Sequence, residues 1–359
     1  MITVNLKEYY EDYDMYWPKI IKESEEILNR HKIPLDMLEP FEVPLEILQK
    51  IKGGSGETFE SQELTVRTRF GRYKITAELF NAESYNEFLF RIVRLITTPL
   101  QSVKKRGYKA FPLLQVNNDE LVSLIDEYIH TALFGCDFNP MVDDNWRILL
   151  MSDSAIVTHI VKQITRIIYK MQTDVDVTEA EVIKCYFSEV VKLRMRENYS
   201  IEVSKSIYER LPYPTNKGGF EKRFMEAVDR DSRVDAFIKI NEYYHTFAVV
   251  HYIREDGLLA RYYPDFVVKI GNDVYVVETK ADKDLKTDNV QSKRVAILDE
   301  LENINKLKGH DRMDSKWNYV LLGEKTFDSW YEHGASIKEI LDYTIMTEAK
   351  VKGTLDDYL

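Results

Sequence analysis

Cysteine and histidine are scarce in this chain of 359 residues, which has two cysteines and seven histidines. Cys136 and Cys185 lie in apolar surroundings that we interpret as helical, so we expect buried thiols rather than a disulfide. The histidines show neither an H-E-x-x-H pattern nor the Cys/His spacing of a zinc site. The sequence therefore favours neither a disulfide-rich scaffold nor a zinc protein.

Long hydrophobic runs are also missing. No apolar segment approaches the roughly 20 residues that a helix needs to cross a bilayer. The start of the chain, Met1–Asp14, is acidic and aromatic instead of basic and apolar, so we expect no secretory signal there. We therefore expect a cytoplasmic protein that does not bind membranes.

A phosphate-binding loop for ATP is a third feature that the sequence lacks, since the pattern G-x-x-x-x-G-K-[ST] does not occur. The closest segment, Gly53–Thr58, has no lysine, and a Gly/Ser-rich run of this kind is typical of a flexible loop. We expect that this chain alone does not hydrolyse ATP.

The composition is that of a globular protein with room for two domains. Apolar residues make up 44% of the chain, which is enough to form a core. The net charge of −11 is unfavourable for binding nucleic acid, although it leaves room for a local basic groove. The segment "LPYPTNKGG" at 211–219 predicts a boundary between a mostly helical spacer or docking region, residues 1–210, and a second domain, residues 211–359.

Helices dominate the pattern before this boundary, and strands alternate with helices after it. In the first region we interpret residues 1–50 as helix with proline breaks, 59–80 as a β-hairpin and 178–210 as helix. In the second, a helix at 220–229 is followed by strands at 234–240, 247–252, 263–270 and 274–280, a helix at 288–308 and a strand at 317–322. This order predicts an α/β (α+β) fold with a mixed sheet flanked by helices.

Two acidic residues and a lysine stand on neighbouring strands of the second domain. Asp265 precedes the strand "FVVKI", and Glu278, Thr279 and Lys280 end the strand "DVYVVETK". Because a strand sends alternate side chains to opposite faces, Glu278 and Lys280 share a face. A turn at Gly271-Asn272-Asp273 predicts a hairpin that brings Asp265 opposite Glu278. We therefore expect the two acids and the lysine to converge at one edge of a sheet.

These residue types suit a metal-dependent phosphodiesterase. Mg²⁺ prefers oxygen ligands and lowers the pKa of bound water. Asp265 and Glu278 are candidate ligands, with the backbone carbonyl of Thr279 as a third, and Mn²⁺ could substitute. Lys280 could hold the attacking hydroxide and offset charge on the phosphate. The alternative is a salt bridge on an exposed strand, but the valines on both faces indicate buried strands, where unpaired charge is costly.

The residues Pro264-Asp265 and Glu278-Thr279-Lys280 together resemble the motif of the PD-(D/E)XK nuclease superfamily. More narrowly, the segment from "LPYPTNKGGFEKRF" to "DVYVVETK" resembles the C-terminal endonuclease domain of the restriction subunit of type III restriction enzymes. The region before it, including "FESQELTVRTRFGRYKITAELF", resembles the spacer of those subunits. The resemblance implies Mg²⁺-dependent cleavage of double-stranded DNA, a helicase motor that hydrolyses ATP, and a methyltransferase subunit as partner. Because the motor is missing from this sequence, it would belong to a longer chain or to a separate subunit.

The resemblance also implies roles for individual residues. Asp265, Glu278 and Lys280 match the catalytic positions of the family. Glu221 matches the acid on the helix before the sheet, where it would orient a metal-bound water or complete the metal shell. The alternative for Glu221 is an acid in the first turn of a helix, where the helix dipole favours negative charge.

Further residues are candidates for contact with nucleic acid. Gln291 lies where many relatives carry a polar helper, but Val295 replaces their tyrosine four residues later, so an ordinary solvated helix position is the alternative. Lys293, on the same helix, could contact phosphate or pair locally with acids. The hairpin at 59–80 collects four cations on one face, which could grip phosphates or form an ordinary solvated face: Arg67, Arg69, Arg72 and Lys74.

Two other functions stay open on the residues alone. The net acidity and the missing motor favour a non-catalytic docking or DNA-binding module of a multi-subunit defence complex. A nuclease acting on RNA or single-stranded DNA is the other, because metal chemistry on a phosphodiester is similar in each nucleic acid.

Overall fold

The computed structural model describes residues 1–21, 33, 35–42, 82–97, 117–150, 155–173, 181–216, 219–254, 257 and 259–356. Its strands are β1 (Ile2–Asn5), β2 (Tyr16–Ile21), β3 (Glu181–Tyr186), β4 (Lys192–Met195), β5 (Ser200–Glu202), β6 (Arg210–Pro212), β7 (Ala236–Lys239), β8 (Val250–Ile253), β9 (Leu259–Tyr262), β10 (Phe266–Ile270), β11 (Asp273–Lys280) and β12 (Lys316–Gly323). Its α-helices are α1 (Tyr85–Thr97), α2 (Asn118–Thr131), α3 (Ala155–Thr173), α4 (Gly219–Arg230), α5 (Asp288–Lys306), α6 (Glu324–Glu332) and α7 (Ile337–Asp356). The protein is therefore of the mixed α/β class, as predicted.

The chain divides into two compact units. The first comprises Met1–Glu23, Asp176–Tyr252 and Arg261–Leu359, and the second comprises Ser24–Val175 and Ile253–Ala260. This division places the beginning of the chain in the same unit as Glu221, Asp265, Glu278 and Lys280. The functional boundary between residues 210 and 211 stays a prediction.

A four-stranded mixed sheet in the order β12–β11–β10–β7 forms the centre of the first unit. β11 is parallel to β12 and antiparallel to β10, and β10 is antiparallel to β7. Ile270 pairs with Asp273, so Gly271 and Asn272 alone make the turn of the predicted hairpin. Gly271 has a φ of +57°, a left-handed conformation that glycine adopts without a Cβ clash.

The elements of this sheet follow one another as helix, three strands, helix and strand, so the sheet contains three of the four strands predicted between the two helices. α4 precedes β7, β10 and β11, and α5 lies between β11 and β12. β8 and β9 pair with each other as a separate two-stranded ribbon. The strand predicted at 247–252 is therefore present as β8, but it pairs outside the four-stranded sheet.

Apolar side chains on both faces make β10 and β11 the inner strands of this sheet. Val267, Val268, Val276 and Val277 are fully buried. Near-continuous runs of β-branched residues are typical of strands that are covered on both sides. α4 covers one face, where the rings of Phe224 and Phe266 lie 5.1 Å apart. The burial of this hairpin fixes the positions of the charged residues at its open end.

Two helical interpretations of the sequence are wrong. In the range 1–50, the described residues at the start form β1 and β2 instead of helix, and β2 pairs with β3 although Pro18 lies within it. In the range 178–210, the described residues form β3, β4, β5 and the start of β6 with short 3₁₀ turns. Cys185 is accordingly a buried thiol on a strand, not on a helix. Pairing between segments about 170 residues apart overrode the local pattern.

The described residues of the second unit are mostly helical, as the sequence predicts for this part of the chain. α1, α2 and α3 share one apolar core that includes Phe88, Tyr128 and Ile160. The Asn117 side chain accepts hydrogen bonds from the backbone N–H groups of Asp119 and Glu120 and so caps α2. In the described part of the chain, no helix combines the length and apolar character needed to cross a bilayer. The hairpin predicted at 59–80, with Arg67, Arg69, Arg72 and Lys74, lies outside the described residues.

Candidate functional site

The predicted site lies at the open end of the β10–β11 hairpin. Phe266 pairs with Val277, so continuing the register by one residue sets Asp265 opposite Glu278. Glu278 is 3% exposed, and its Oε1 atom lies 2.5 Å from Nζ of Lys280. The hydroxyl of Tyr262 donates a hydrogen bond of 2.8 Å to the other carboxylate oxygen of Glu278. The structure therefore brings Asp265, Glu278 and Lys280 to one end of the sheet.

Burial controls the protonation of Glu278. The pKa of this carboxyl group is raised to about 7, chiefly by burial and then by the negative charge of Asp265, while Lys280 and Tyr262 act in the opposite direction. Burial also opposes the charge on Lys280, but the negative charges of Glu278, Asp265 and Glu221 outweigh it, so the pKa of Lys280 is raised. The site thus holds a firmly protonated lysine beside a carboxyl group that is poised near neutrality.

Asp265 is oriented by the residue between Glu278 and Lys280. Its Oδ2 atom accepts hydrogen bonds of 2.8 Å from both the backbone N–H and the hydroxyl of Thr279. These two bonds fix the Asp265 carboxylate at the open end of the β10–β11 hairpin. The sequence predicts a metal-ligand role for the Thr279 carbonyl, and the structure adds an unpredicted role for its side chain in holding Asp265.

Glu221 reaches the same region from α4, where it stands in the first helical turn. Its carboxylate forms a largely buried ion pair with Lys239, the last residue of β7. The pKa of Glu221 is raised, chiefly by burial; Lys239 acts in the opposite direction, and the negative charge of Asp265 adds to the increase. The Nζ atom of Lys239 also lies 4.6 Å from the centre of the Phe266 ring. Glu221 is therefore close enough to Asp265 and Lys280 to interact with them electrostatically.

The two candidates on α5 differ in their surroundings. The Gln291 side chain donates a hydrogen bond of 2.7 Å to the backbone carbonyl of Leu285, so it holds the segment that joins β11 to α5. Lys293 interacts electrostatically with Glu278, Lys280 and Asp265. Of these two candidates, Lys293 is the one that interacts with the carboxylates.

The structure supplies site residues that the sequence analysis missed. Lys239 and Tyr262 contact Glu221 and Glu278 directly, yet neither stands in a recognisable motif. Tyr262 precedes the Tyr263-Pro264-Asp265 segment, and Lys239 ends a strand that was predicted. Their positions at strand ends beside the motif were the available signal.

No group of three or more His, Cys, Asp or Glu side chains that could hold a metal ion occurs among the described residues. Asp265, Glu278 and the backbone carbonyl of Thr279 supply only two carboxylates and so fall below that number, and Glu221 does not join the two as a third carboxylate of such a group. Burial and the negative charge of Asp265 both disfavour the charged form of Glu278. A divalent cation would relieve that cost, so the donor chemistry fits Mg²⁺ or Mn²⁺.

Comparison of this chain with protein-family models, with curated proteins and with solved structures found no match in any of the three.

Proposed function

We propose that this chain is a divalent-metal-dependent nuclease that hydrolyses phosphodiester bonds in DNA, with a nuclease core of the PD-(D/E)XK type. The meeting of Asp265, Glu278 and Lys280 at one end of a buried hairpin is the observation that carries the proposal. A buried ion pair is weak evidence of stabilisation, because desolvation offsets much of the attraction. A buried carboxyl group with a strongly shifted pKa beside other charges is more typical of a functional site.

The chain would hold Mg²⁺ or Mn²⁺ through the carboxylates of Asp265 and Glu278 and the backbone carbonyl of Thr279. When bound, the ion would neutralise the phosphate and lower the pKa of the attacking water. Tyr262 and Thr279 each fix one carboxylate by hydrogen bonds of 2.8 Å. Ligands held in this way lose little freedom on binding.

Three side chains near the proposed metal site would have different roles in the reaction. The ammonium of Lys280 stays protonated at neutral pH because its pKa is raised, so it can hold the hydroxide and offset charge that develops on the phosphate. Glu221, held by Lys239, would orient the attacking water from the α4 side. Gln291 keeps the segment before α5 in place.

The wider assignment rests on the sequence resemblance. As the nuclease part of a type III restriction subunit, the chain would act on DNA together with a helicase motor, which hydrolyses ATP, and a methyltransferase subunit. The cations Arg67, Arg69, Arg72 and Lys74 would then be candidates for contact with the DNA backbone.

Cleavage assays with the full chain test this function. Supercoiled plasmid, linear duplex, single-stranded DNA and RNA are each incubated with Mg²⁺, with Mn²⁺ or with EDTA. We expect metal-dependent cleavage of duplex DNA, reduced by roughly 10²–10³-fold in Asp265→Asn, Glu278→Gln and Lys280→Met, which is the usual cost of removing one electrostatic contact to a transition state.

Glu302→Gln is the matched control, because Glu302 is an exposed acid on α5 that pairs with Lys306 one turn later. This variant should cleave like the wild type. Normal cleavage by the three site variants would contradict the site assignment. Preferential cleavage of RNA or single strands would change the substrate class while leaving the site intact. If no substrate is cleaved even with the motor and methyltransferase present, the docking-module alternative is favoured.

A further inference from the structure

Lys293 is held over two aromatic rings beside the carboxylates. Its Nζ atom lies 5.2 Å from the ring centre of Tyr262 and 5.7 Å from that of Tyr252. Distances of this kind give a favourable interaction between a cation and the ring face. Among the described residues, no acid forms an ion pair with Lys293. The other two lysines near the site are already engaged, Lys280 with Glu278 and Lys239 with Glu221.

Hydrogen bonds fix both rings beneath this ammonium. Tyr252 donates 2.9 Å to the Asn289 side chain, one turn before Lys293 on α5. Tyr262 donates 2.8 Å to Glu278, and the two rings meet edge to face with their centres 6.5 Å apart. The ammonium therefore lies on a preformed surface made by β8, β9 and α5, so little ordering would be needed to bind an anion there.

Lys293 is a partly desolvated cation, and a bound anion would stabilise its charge. Burial lowers the pKa of this half-buried amine, and the positive charge of Lys280 lowers it too, while Glu278 and Asp265 act in the opposite direction. A phosphodiester has one negative charge and oxygens that accept hydrogen bonds from an ammonium, so it would stabilise the charged form. Tyr262 links the two groups, because the Lys293 ammonium lies over its ring face while its hydroxyl binds Glu278. The ammonium is therefore beside the carboxylates and is not ion-paired with them.

We propose that Lys293, with Tyr252 and Tyr262, forms a subsite for the backbone phosphate next to the one that is cleaved. The inference deepens the proposed nuclease function and rests on it for the identity of the ligand. It assigns Lys280 to the reacting phosphate and Lys293 to its neighbour. The two rings hold the ammonium in place and keep it partly dehydrated, which strengthens its contact with phosphate oxygens.

The first test of the subsite measures DNA binding under conditions in which the DNA is not cleaved. The fluorescence anisotropy of a labelled DNA duplex is measured with the full-length protein in EDTA at several salt concentrations. Lys293→Met should bind about 5- to 10-fold more weakly than the wild type. It should also reduce the slope of log K against log salt by about one, because one phosphate contact is lost. Lys293→Arg should retain most of the affinity and the slope.

Lys306→Met is the matched control, since it removes the same charge from the same helix about 20 Å further along its axis. Lys306 is exposed and pairs with Glu302. Its substitution should leave the affinity and the salt slope close to those of the wild type. Equal losses in Lys293→Met and Lys306→Met would overturn the subsite, because they would indicate a general effect of helix charge.

DNA duplexes in which one phosphate is replaced by an uncharged group can show which phosphate Lys293 contacts. Duplexes carrying a single methylphosphonate at successive positions around the cleaved bond should lose affinity for the wild type at one position beside that bond. Lys293→Met should show no further loss there. A loss that is the same in both proteins at every position would refute the inference.

The experiments distinguish a failure of the phosphate subsite from a failure of the proposed nuclease function. Cleavage that needs Glu278, combined with Lys293→Met binding like the wild type, overturns the subsite alone. Binding that depends on Lys293, without any metal-dependent cleavage, overturns the nuclease while the phosphate contact stands.

Discussion

Glu278 and Lys280, two residues apart on β11, form an ion pair of 2.5 Å between Oε1 and Nζ in which the acid is buried and the lysine is partly exposed. The pair joins a carboxyl group whose pKa is about 7 to an amine whose pKa is raised. The alternation of side chains along a strand predicts that both residues share a face. Their opposite exposure depends on the surrounding structure, since α5 and Tyr262 lie beside the acid.

The first prediction concerns stability against pH in the metal-free protein. The folded-state pKa of Glu278, about 7, lies above its ordinary value of 4.5. The native state therefore binds more protons than the unfolded state between these values, and the contribution of Glu278 to stability is lost as the pH rises from 4.5 through 7. The full effect is about 3 kcal/mol.

Urea unfolding in EDTA at pH 4.5, 6 and 8 measures this contribution in the wild type and in Glu278→Gln. The two buried histidines, His245 and His251, have pKa values lowered to about 3, so they act in the opposite direction in both proteins. The difference between the two proteins therefore isolates Glu278. We expect Glu278→Gln to gain stability relative to the wild type as the pH rises. A difference that does not change with pH would contradict the shifted pKa.

The second prediction concerns Tyr262 as a positioning residue. Tyr262→Phe keeps the ring but removes the hydrogen bond to the charged form of Glu278, so the pKa of Glu278 should rise further. If the chain is a nuclease, the acidic limb of its pH–activity profile should move upward by about one pH unit, the equivalent of one hydrogen bond to a charged group. Tyr252→Phe is the matched control, because that hydroxyl binds Asn289 instead. A profile displaced equally in both variants would contradict the assignment.

The third prediction concerns the ion pair of Glu221 and Lys239. Both side chains are largely buried, so Lys239→Met would leave an unpaired carboxylate and reduce the free energy of unfolding by about 3 kcal/mol. The double variant Lys239→Met, Glu221→Gln should recover much of that loss, because no uncompensated charge is left. Urea unfolding at pH 8 measures all three proteins.

Lys222→Met is the control for this pair. Lys222 is half-buried on the same helix as Glu221, and its Nζ atom lies 3.8 Å from Oε1 of Glu226 and 5.8 Å from the ring centre of Tyr213. Contacts of this kind are weak, so its loss should change the stability by less than about 1 kcal/mol. A double variant that is less stable than Lys239→Met would argue against the charge-pair explanation.

Local pattern was enough to predict the sheet that carries the site. The runs of valine, the Gly271-Asn272 turn and the apolar stripe of α5 each specify their own element within a short stretch of sequence. Contacts between residues that are distant in the sequence could not be predicted from such short stretches. Lys239 contacts Glu221 because β7 pairs with β10 and α4 packs on the sheet. Tyr262 contacts Glu278 from a separate two-stranded ribbon.

The structure at the beginning of the chain was even harder to predict from local sequence. Tyr16 and Trp17 lie on a short strand whose partner is β3, and a segment that pairs only with distant residues carries little periodic signal of its own. The prolines near it favoured a broken helix. Long-range pairing therefore determined where the N-terminal residues belong, and the local sequence did not.

The last prediction follows from those N-terminal contacts. The Trp17 and Trp317 rings are both fully buried and meet edge to face at 5.6 Å. The Tyr16 hydroxyl donates 2.9 Å to the carbonyl of His310 and accepts 2.7 Å from the N–H of Met313. A fragment of residues 211–359 would lose these contacts and expose Trp317. We therefore expect this fragment to be unstable, although it contains every strand of the central sheet.

Circular dichroism and urea unfolding of the fragment and of full-length variants test this expectation. Trp17→Ala should cost about 3–5 kcal/mol, the usual range for removing a buried tryptophan. Trp330→Ala is the control, since Trp330 is only half-buried against Tyr343 and should cost clearly less. A fragment that unfolds cooperatively with the stability of the full chain would show that residues 1–21 are dispensable, and the boundary predicted at residue 211 would then also be a boundary of stability.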